Sequence, residues 1–249
     1  MADLQAISLS AGDGNFVKGL FTSRRSGVSE PPYDEANLAM HVGDEATAVA
    51  YNRTALEARI GAPIVWMRQV HGGDVTVVSE VTTEPVHDVD ALVTDQPDLG
   101  IAVLVADCVP VLMADTPSGV LAVAHVGRRG LVAATAINAA TTMTELGADA
   151  GRIQAWLGPS ICGRCYEVPV QLRAEVDLAA PGSASTTYAG KPSIDIRAGL
   201  RRQLLGAGVR VVRDVGPCTN ESSDYYSYRR DGVTGRAAGV VVLSTRQRS

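Results

Sequence analysis

The sequence predicts an α+β fold, a compact arrangement of mixed β-sheets with flanking helices. Three observations predict it. Short runs of β-branched residues follow one another closely through the middle of the chain, as neighbouring strands do. Stretches with apolar residues at helical spacing are interspersed among them. The composition, 46% hydrophobic and 20% charged over 249 residues, is that of a globular protein with enough apolar residues for a sizeable core.

The elements follow in chain order. Residues 26–34, which hold Pro31 and Pro32, read as a loop. A helix is expected over 45–59, where Ala46, Val49, Leu56 and Ile60 recur at roughly helical spacing. Strands are expected over 63–67, 74–81, 100–106, 109–114 and 119–126. Residues 115–119, with Pro117 and Gly119, form the expected hairpin turn between the last two. A second helix fits 130–146, where Leu131, Ala134, Ile137 and Leu146 are less cleanly spaced, and Gly147 is a natural stop. Further helices fit 169–180 and 193–205, separated by a loop over 181–193 that is rich in Gly, Ser and Thr. Strands over 209–215 and 239–244 follow, and 245–249 read as a polar tail. No repeat, low-complexity tract or charged linker interrupts the chain, so residues 1–249 read as one domain.

Charge and cysteine usage exclude several function classes. The net charge of −5 carries no broad basic excess, which argues against nucleic-acid binding. Positive charge is local, as at Arg128 and Arg129 or Arg229 and Arg230, which suits small anions better than a duplex. The longest apolar runs, around 100–106 and 119–123, are too short to span a bilayer, and the N-terminus lacks the pattern of a secretory signal. The expectation is a soluble cytoplasmic protein without membrane partners. In that compartment its four cysteines are expected as core residues, ligands or nucleophiles rather than disulfides. No nucleotide loop is present: Ala11 to Gly14 lacks the third glycine of a dinucleotide fingerprint, and Gly190-Lys191 lacks the spacing of a phosphate loop.

Three side chains stand out chemically. His71 lies in Gln69-Val70-His71-Gly72 after a strand, with Gly72 and Gly73 implying a tight turn. Cys108 follows an apolar strand in Ala106-Asp107-Cys108, and His125 ends another in Ala124-His125-Val126-Gly127. Two imidazoles and a thiolate suit zinc, with a fourth coordination position left open for water or substrate. Spacings of 37 and 17 residues decide nothing, because only a fold can bring the three together. The same residues also read as a Cys–His pair with Cys108 as nucleophile. Cys162 and Cys165 form a C-x-x-C, either a redox pair or half of a zinc site, while Cys218 stands alone. Arg24, Arg53 and Arg129 offer anion sites, the last at a helix start where backbone N–H groups add to the attraction. The segment 224–235, with three tyrosines and two glycines, reads either as a loop over the substrate or as a surface turn.

Taken together the motifs resemble the YfiH family, also described as a laccase-like polyphenol oxidase domain and as LACC-type purine nucleoside phosphorylases. The matching segments span nearly the whole chain. They begin with Phe21-Thr22-Ser23-Arg24, Asn37-Leu38, His41-Val42-Gly43-Asp44 and Asn52-Arg53. They continue through the His71, Cys108 and His125 segments and Asp90-Ala91-Leu92-Val93-Thr94. They end with Gly158-Pro159-Ser160-Ile161, Cys165-Tyr166-Glu167-Val168, Cys218-Thr219 and Ser227-Tyr228-Arg229-Arg230-Asp231. The resemblance implies a YfiH-like fold, related to bacterial toxin deamidases that use a Cys–His pair. It implies that His71, Cys108 and His125 are zinc ligands and catalytic residues. It further implies phosphorolysis of adenosine, inosine and methylthioadenosine, with adenosine deamination.

Arg24, Arg53 and Arg129 then become phosphate candidates, and the expected partners are purine nucleosides and phosphate, with the protein a monomer or weak homo-oligomer. Competing readings are a copper-dependent polyphenol oxidase, a cysteine amide hydrolase using Cys108, and an accessory protein with structural zinc. Two departures from the family pattern stand out: Arg128 replaces a tryptophan beside the site, and Cys162-Gly163 replaces a Gly-Pro, so Cys162 reads as a private substitution.

Overall fold

A computed structural model describes residues 5–12 and 15–245 of the chain. The chain opens with β1 (Gln5–Gly12) and β2 (Asn15–Phe21), followed after a long loop by α1 (Ala46–Ile60). The short strands β3 (Ile64–Val65), β4 (Val75–Val77) and β5 (Ala91–Thr94) come next. The apolar middle of the chain forms β6 (Gly100–Val105), β7 (Val109–Asp115) and β8 (Val120–Val126). Then come α2 (Arg128–Val132), α3 (Thr135–Glu145), β9 (Gln154–Leu157) and α4 (Val170–Ala179). The remainder is β10 (Ala184–Thr186), β11 (Pro192–Ile194), α5 (Ile196–Gly206), β12 (Val211–Asp214), α6 (Tyr228–Asp231) and β13 (Ala237–Ser244).

Two mixed sheets carry the fold, in the orders β1-β2-β13-β6-β3 and β12-β9-β7-β8-β5-β4, and β10 and β11 form a separate ribbon. The sheets pack face to face. Phe21, Ile101, Val103 and Val241 of the five-stranded sheet meet Leu112, Leu121, Val123 and Trp156 of the six-stranded one. Successive strand residues point to opposite faces. The alternate residues Val111, Met113, Ala122 and Ala124 therefore turn outward, onto Leu131, Met143 and Leu200 of the helices. On the far side, Leu20, Ala102, Leu104 and Val240 of the five-stranded sheet pack on Leu56 and Ile60 of α1. With both faces covered, β7 and β8 are buried at every position, which is why they read as unbroken apolar runs rather than alternating ones.

The α+β expectation holds, and most of the expected elements are present within a few residues. The 115–119 turn closes as expected, with Gly119 N–H donating to Asp115 O at 3.0 Å and Gly119 at φ +73°. Gly147 likewise follows the end of α3 with φ +99°. Three local readings are corrected. The helix expected over 130–146 is two, α2 and α3, broken where Ala134 takes φ +56°. The imperfect spacing there reflects the break, which frees Thr135 to donate to Gly72 O at 2.7 Å and Asn138 to Gly73 O at 2.8 Å. The loop expected over 181–193 contains the β10–β11 ribbon. The helix expected from 193 starts only after Asp195, whose carboxylate caps it by accepting from Ala198 N–H at 3.0 Å. The hairpin β1–β2 and strands β5 and β9 carry too little β-branched pattern of their own, and pairing with neighbours defines them. Of the expected polar tail only Thr245 lies among the described residues, and Asp13 and Gly14 also lie outside them. No helix among the described residues is long and apolar enough to cross a membrane.

Candidate metal centre

The two-sheet arrangement brings the ends of three segments to one point. Cys108 sits in the short connection between β6 and β7, after Asp107, which takes φ +86°. The Asp107 carboxylate holds that turn by accepting from Thr219 Oγ1 at 2.7 Å and from Arg229 N–H at 2.6 Å. His125 is the penultimate residue of β8, and its side chain is buried. His71 stands in the loop between β3 and β4 with φ +62°. One donor atom from each of the three lies within 4.8 Å of the others, and the two imidazole rings meet edge to face at 4.6 Å between centroids. Gly127 packs against the group: a Cβ there would lie 2.9 Å from Cys108 Sγ and 3.2 Å from His71 Cδ2. The absence of a side chain at this position is what allows the donors to approach.

Asp90, at the entry to β5, organises the centre. Its Oδ1 accepts from His71 N–H at 3.0 Å and lies 2.7 Å from His125 Nδ1. Its Oδ2 accepts from Val70 N–H at 3.1 Å and Gly72 N–H at 2.6 Å. One fully buried carboxylate thus shapes the His71 loop and orients the His125 ring, leaving Nε2 free to face Cys108. Burial alone would raise the Asp90 pKa, but the hydrogen bonds from His125, Gly72 and Val70 outweigh it and hold the carboxyl below its ordinary range. Burial would also raise the Cys108 thiol, yet the charge of His125 and hydrogen bonds from both histidines bring it down to about 6. Burial pulls His125 down, but Cys108 and Asp90 push it up to about 9. The site favours a thiolate beside its imidazoles, and a thiolate is the form that binds metal. Asp90 was not singled out among the candidate side chains. Its signal in the sequence was a carboxylate directly before the fully buried run of β5.

The donors line a cavity of about 430 Å³. Tyr166, Tyr228, His41 and Gln69 also line it, together with the guanidinium-bearing Arg128, Arg229 and Arg236. None of these three arginines pairs with a carboxylate among the described residues. Arg229 lies 5.0 Å over the Tyr166 ring, and Arg236 lies 6.0 Å over Tyr228. Burial comes first in lowering the His41 pKa, followed by the charges of Arg236 and Arg53.

The arginines singled out in the sequence lie elsewhere. Arg24 is bound to Asp34, through the carboxylate at 2.9 Å and the backbone carbonyl at 2.8 Å, and packs on Tyr226. Arg53 donates to Leu38 O at 2.9 Å and stacks 4.2 Å over Trp66, with burial pulling its pKa down to about 10. Arg129 is exposed on α2. None of the three lines the cavity. Arg128, one residue earlier, faces inward in its place. The 224–235 segment splits, with Tyr226 buried and Tyr228 and Arg229 on the cavity wall.

Comparison with known proteins places this geometry. Residues 18–244 match the model of the family described as multi-copper polyphenol oxidoreductase laccase, and the chain belongs to that family, as its YfiH-like motifs indicate. A Streptomyces coelicolor relative named purine nucleoside phosphorylase is 51% identical over 227 residues, 90% of this chain and 94% of the relative. Among solved structures, a Neisseria meningitidis protein superposes with a TM-score of 0.85 at 32% identity, covering 96% of this chain and 99% of that one. The hypothetical protein YfiH of Bacillus licheniformis superposes at 0.84 with 27% identity, covering 91% of this chain and 92% of its own.

Proposed function

From membership of this family and from the cavity we infer that the protein is a zinc-dependent purine nucleoside phosphorylase. It acts on adenosine, inosine and methylthioadenosine and deaminates adenosine at the same site. The observation that carries this reading is the meeting of His71, Cys108 and His125 on the wall of a cavity that also carries three arginines with no carboxylate partner among the described residues. The donor set fits zinc. Two imidazoles and a thiolate are its common ligands, three of them leave a position open, and Asp90 fixes the tautomer of His125. When bound, zinc supplies Lewis acidity at that point.

The chain's own residues supply the rest. Arg128, Arg229 and Arg236 hold phosphate by charge-assisted hydrogen bonds and keep it against the sugar. Tyr166 and Tyr228 offer ring faces to the purine. His41, its pKa lowered, stays neutral near pH 7 and can exchange a hydrogen bond with the nucleoside. In phosphorolysis a phosphate oxygen bonds to the anomeric carbon while the glycosidic C–N bond breaks and its electron pair leaves with the base. Positive charge develops on the sugar, as in glycosidic cleavage generally. The arginines neutralise the nucleophile without blocking its attack.

The test is release of free base from adenosine on metal-loaded protein. Release that requires phosphate and disappears in Cys108→Ala supports the reading, whereas no release at any phosphate concentration sinks it. Ammonia formed from adenosine without phosphate reports the deaminase. Two observations favour other readings. The family description and the His₂Cys set suit copper, for which oxygen uptake with a phenol is the assay. The low-pKa Cys108 beside His125 suits a nucleophile acting on amides. That reading wins if chelation spares activity and thiol alkylation removes it. We further take residues 1–249 to be one catalytic domain of a cytoplasmic protein, monomeric or weakly self-associating. Limited proteolysis and sedimentation test the domain and the association state.

A further inference from the structure

A second group of donors lies apart from the first. Cys165 N–H and Tyr166 N–H both donate to Cys162 O, at 3.0 and 3.1 Å, which folds the C-x-x-C into a tight knuckle. Cys218 and Glu221 come from the segment between β12 and α6. Cys218 bridges to Ser160 in a short parallel pairing, and Glu221 N–H donates to Cys218 O at 3.2 Å. Three sulfurs and a Glu221 oxygen all lie within 4.8 Å of one another. Cys165 Sγ is 3.3 Å from Glu221 Oε1, and Cys162 N–H donates to Cys218 Sγ at 3.3 Å. None of the three thiols is in a disulfide. Zinc–sulfur and zinc–oxygen bond lengths imply tetrahedron edges of about 3.8 Å between sulfurs and about 3.5 Å between sulfur and oxygen. The 3.3 Å between Cys165 Sγ and Glu221 Oε1 is close to the second edge, and the 4.8 Å limit on every pair keeps all four donors within reach of one ion.

We propose that Cys162, Cys165, Cys218 and Glu221 form a second zinc site, closed and structural, that pins the 160–166 turn to the 217–222 segment. Four protein donors leave no open position, and thiolates select a soft or borderline ion. Three thiolates and a carboxylate exceed the charge of zinc, and Arg197 stands behind the site to offset the excess. Its guanidinium donates to Ser160 Oγ at 2.6 Å and to Pro217 O at 3.0 Å, bridging the same two segments. The Cys162 that departs from the family pattern completes the set. The consequence reaches the cavity, since the pinned turn carries Ile161 and Tyr166 into its wall.

The proposal does not depend on the reading of the first centre, and the experiment separates them. Cys108→Ala protein is purified without chelator under reducing conditions, and its zinc and its three remaining thiols are titrated with an organomercurial. About one zinc per chain is expected, released only as those thiols react, and the thiols are expected to resist alkylation until chelator is added. Cobalt exchanged into this protein is expected to show thiolate-to-metal charge-transfer absorption. Adding Cys162→Ser and Cys218→Ser is expected to abolish both signals. The decisive count is made with the cluster intact, so it does not depend on how well those variants fold. Absence of zinc after reconstitution overturns the proposal, as does alkylation of all three thiols at full zinc occupancy. Zinc retained in folded protein lacking Cys162 and Cys218 also overturns it, and so does a disulfide mapped among these cysteines in the reduced preparation.

Discussion

Asp90→Asn removes one acceptor from a carboxylate that receives four donors. Whichever way the amide turns, its NH₂ replaces an oxygen that accepts two of them: His71 N–H and His125 Nδ1 on Oδ1, or Val70 N–H and Gly72 N–H on Oδ2. Two hydrogen bonds to a charged acceptor are lost at a site with no solvent exposure. At about 1.5–3 kcal/mol each, the metal-free protein should lose roughly 3–6 kcal/mol. That is a large share of the about 5–15 kcal/mol that holds an ordinary domain. Urea unfolding of chelated wild type and variant reads this loss as a shift in midpoint at unchanged slope. The same substitution releases the His125 ring, so zinc affinity measured by chelator competition should fall roughly 10- to 100-fold. A variant within 1 kcal/mol of wild type, with zinc binding unchanged, would refute the argument that this carboxylate organises the centre.

Three further substitutions probe the geometry. Gly127→Ala places a methyl 2.9 Å from Cys108 Sγ, so zinc affinity should drop while stability falls by about 1–3 kcal/mol, as in other overpacked sites; calorimetric metal titration checks it. Arg236→Met removes a charged donor from the cavity wall and should raise the KM for phosphate roughly 10- to 150-fold, with little change for nucleoside, in steady-state base release. Asp115 is buried and accepts from Arg152 Nε at 3.1 Å and Asp149 N–H at 2.9 Å. Burial opposes its ionisation, but these bonds win and hold its pKa below the ordinary value. Its contribution to stability is therefore complete above the unfolded value of about 3.9 and is lost as pH falls through the lower folded one. Asp115→Asn should be about 1–3 kcal/mol less stable than wild type at pH 7 and converge with it on acidification, as followed by urea midpoints against pH.

Legibility differed by element for identifiable reasons. β7, β8 and their turn were plain because local patterning and tertiary demand agree there: both faces are covered, so every residue but Asp115 and His125 is apolar. β5 and β9, four residues each, were missed because so short a segment carries no period of its own. The single helix expected over 130–146 is broken at Ala134, next to where Thr135 and Asn138 bond to carbonyls of the loop that carries His71, a contact no local pattern announces. At the centre, His71, Cys108 and His125 were recognisable by chemistry, while Asp90 looked like one more acidic residue before a strand. The arginines show the limit most clearly. Arg128 and Arg129 are neighbours in sequence, and only the start of α2 decides which one faces the cavity.

The sequence by itself determined the α+β class, the buried strands, the family and the residue types able to bind a metal. All of these depend on composition, on periodicity along the chain, or on motifs that survive as linear strings. The tertiary structure alone decided which side chains meet. It joined Asp90 to His71 and His125, moved the cationic wall to Arg128, Arg229 and Arg236, and brought Cys218 and Glu221 to the C-x-x-C. Those contacts arise from pairing between strands distant in the chain, and no local pattern encodes the distance between two points on different strands.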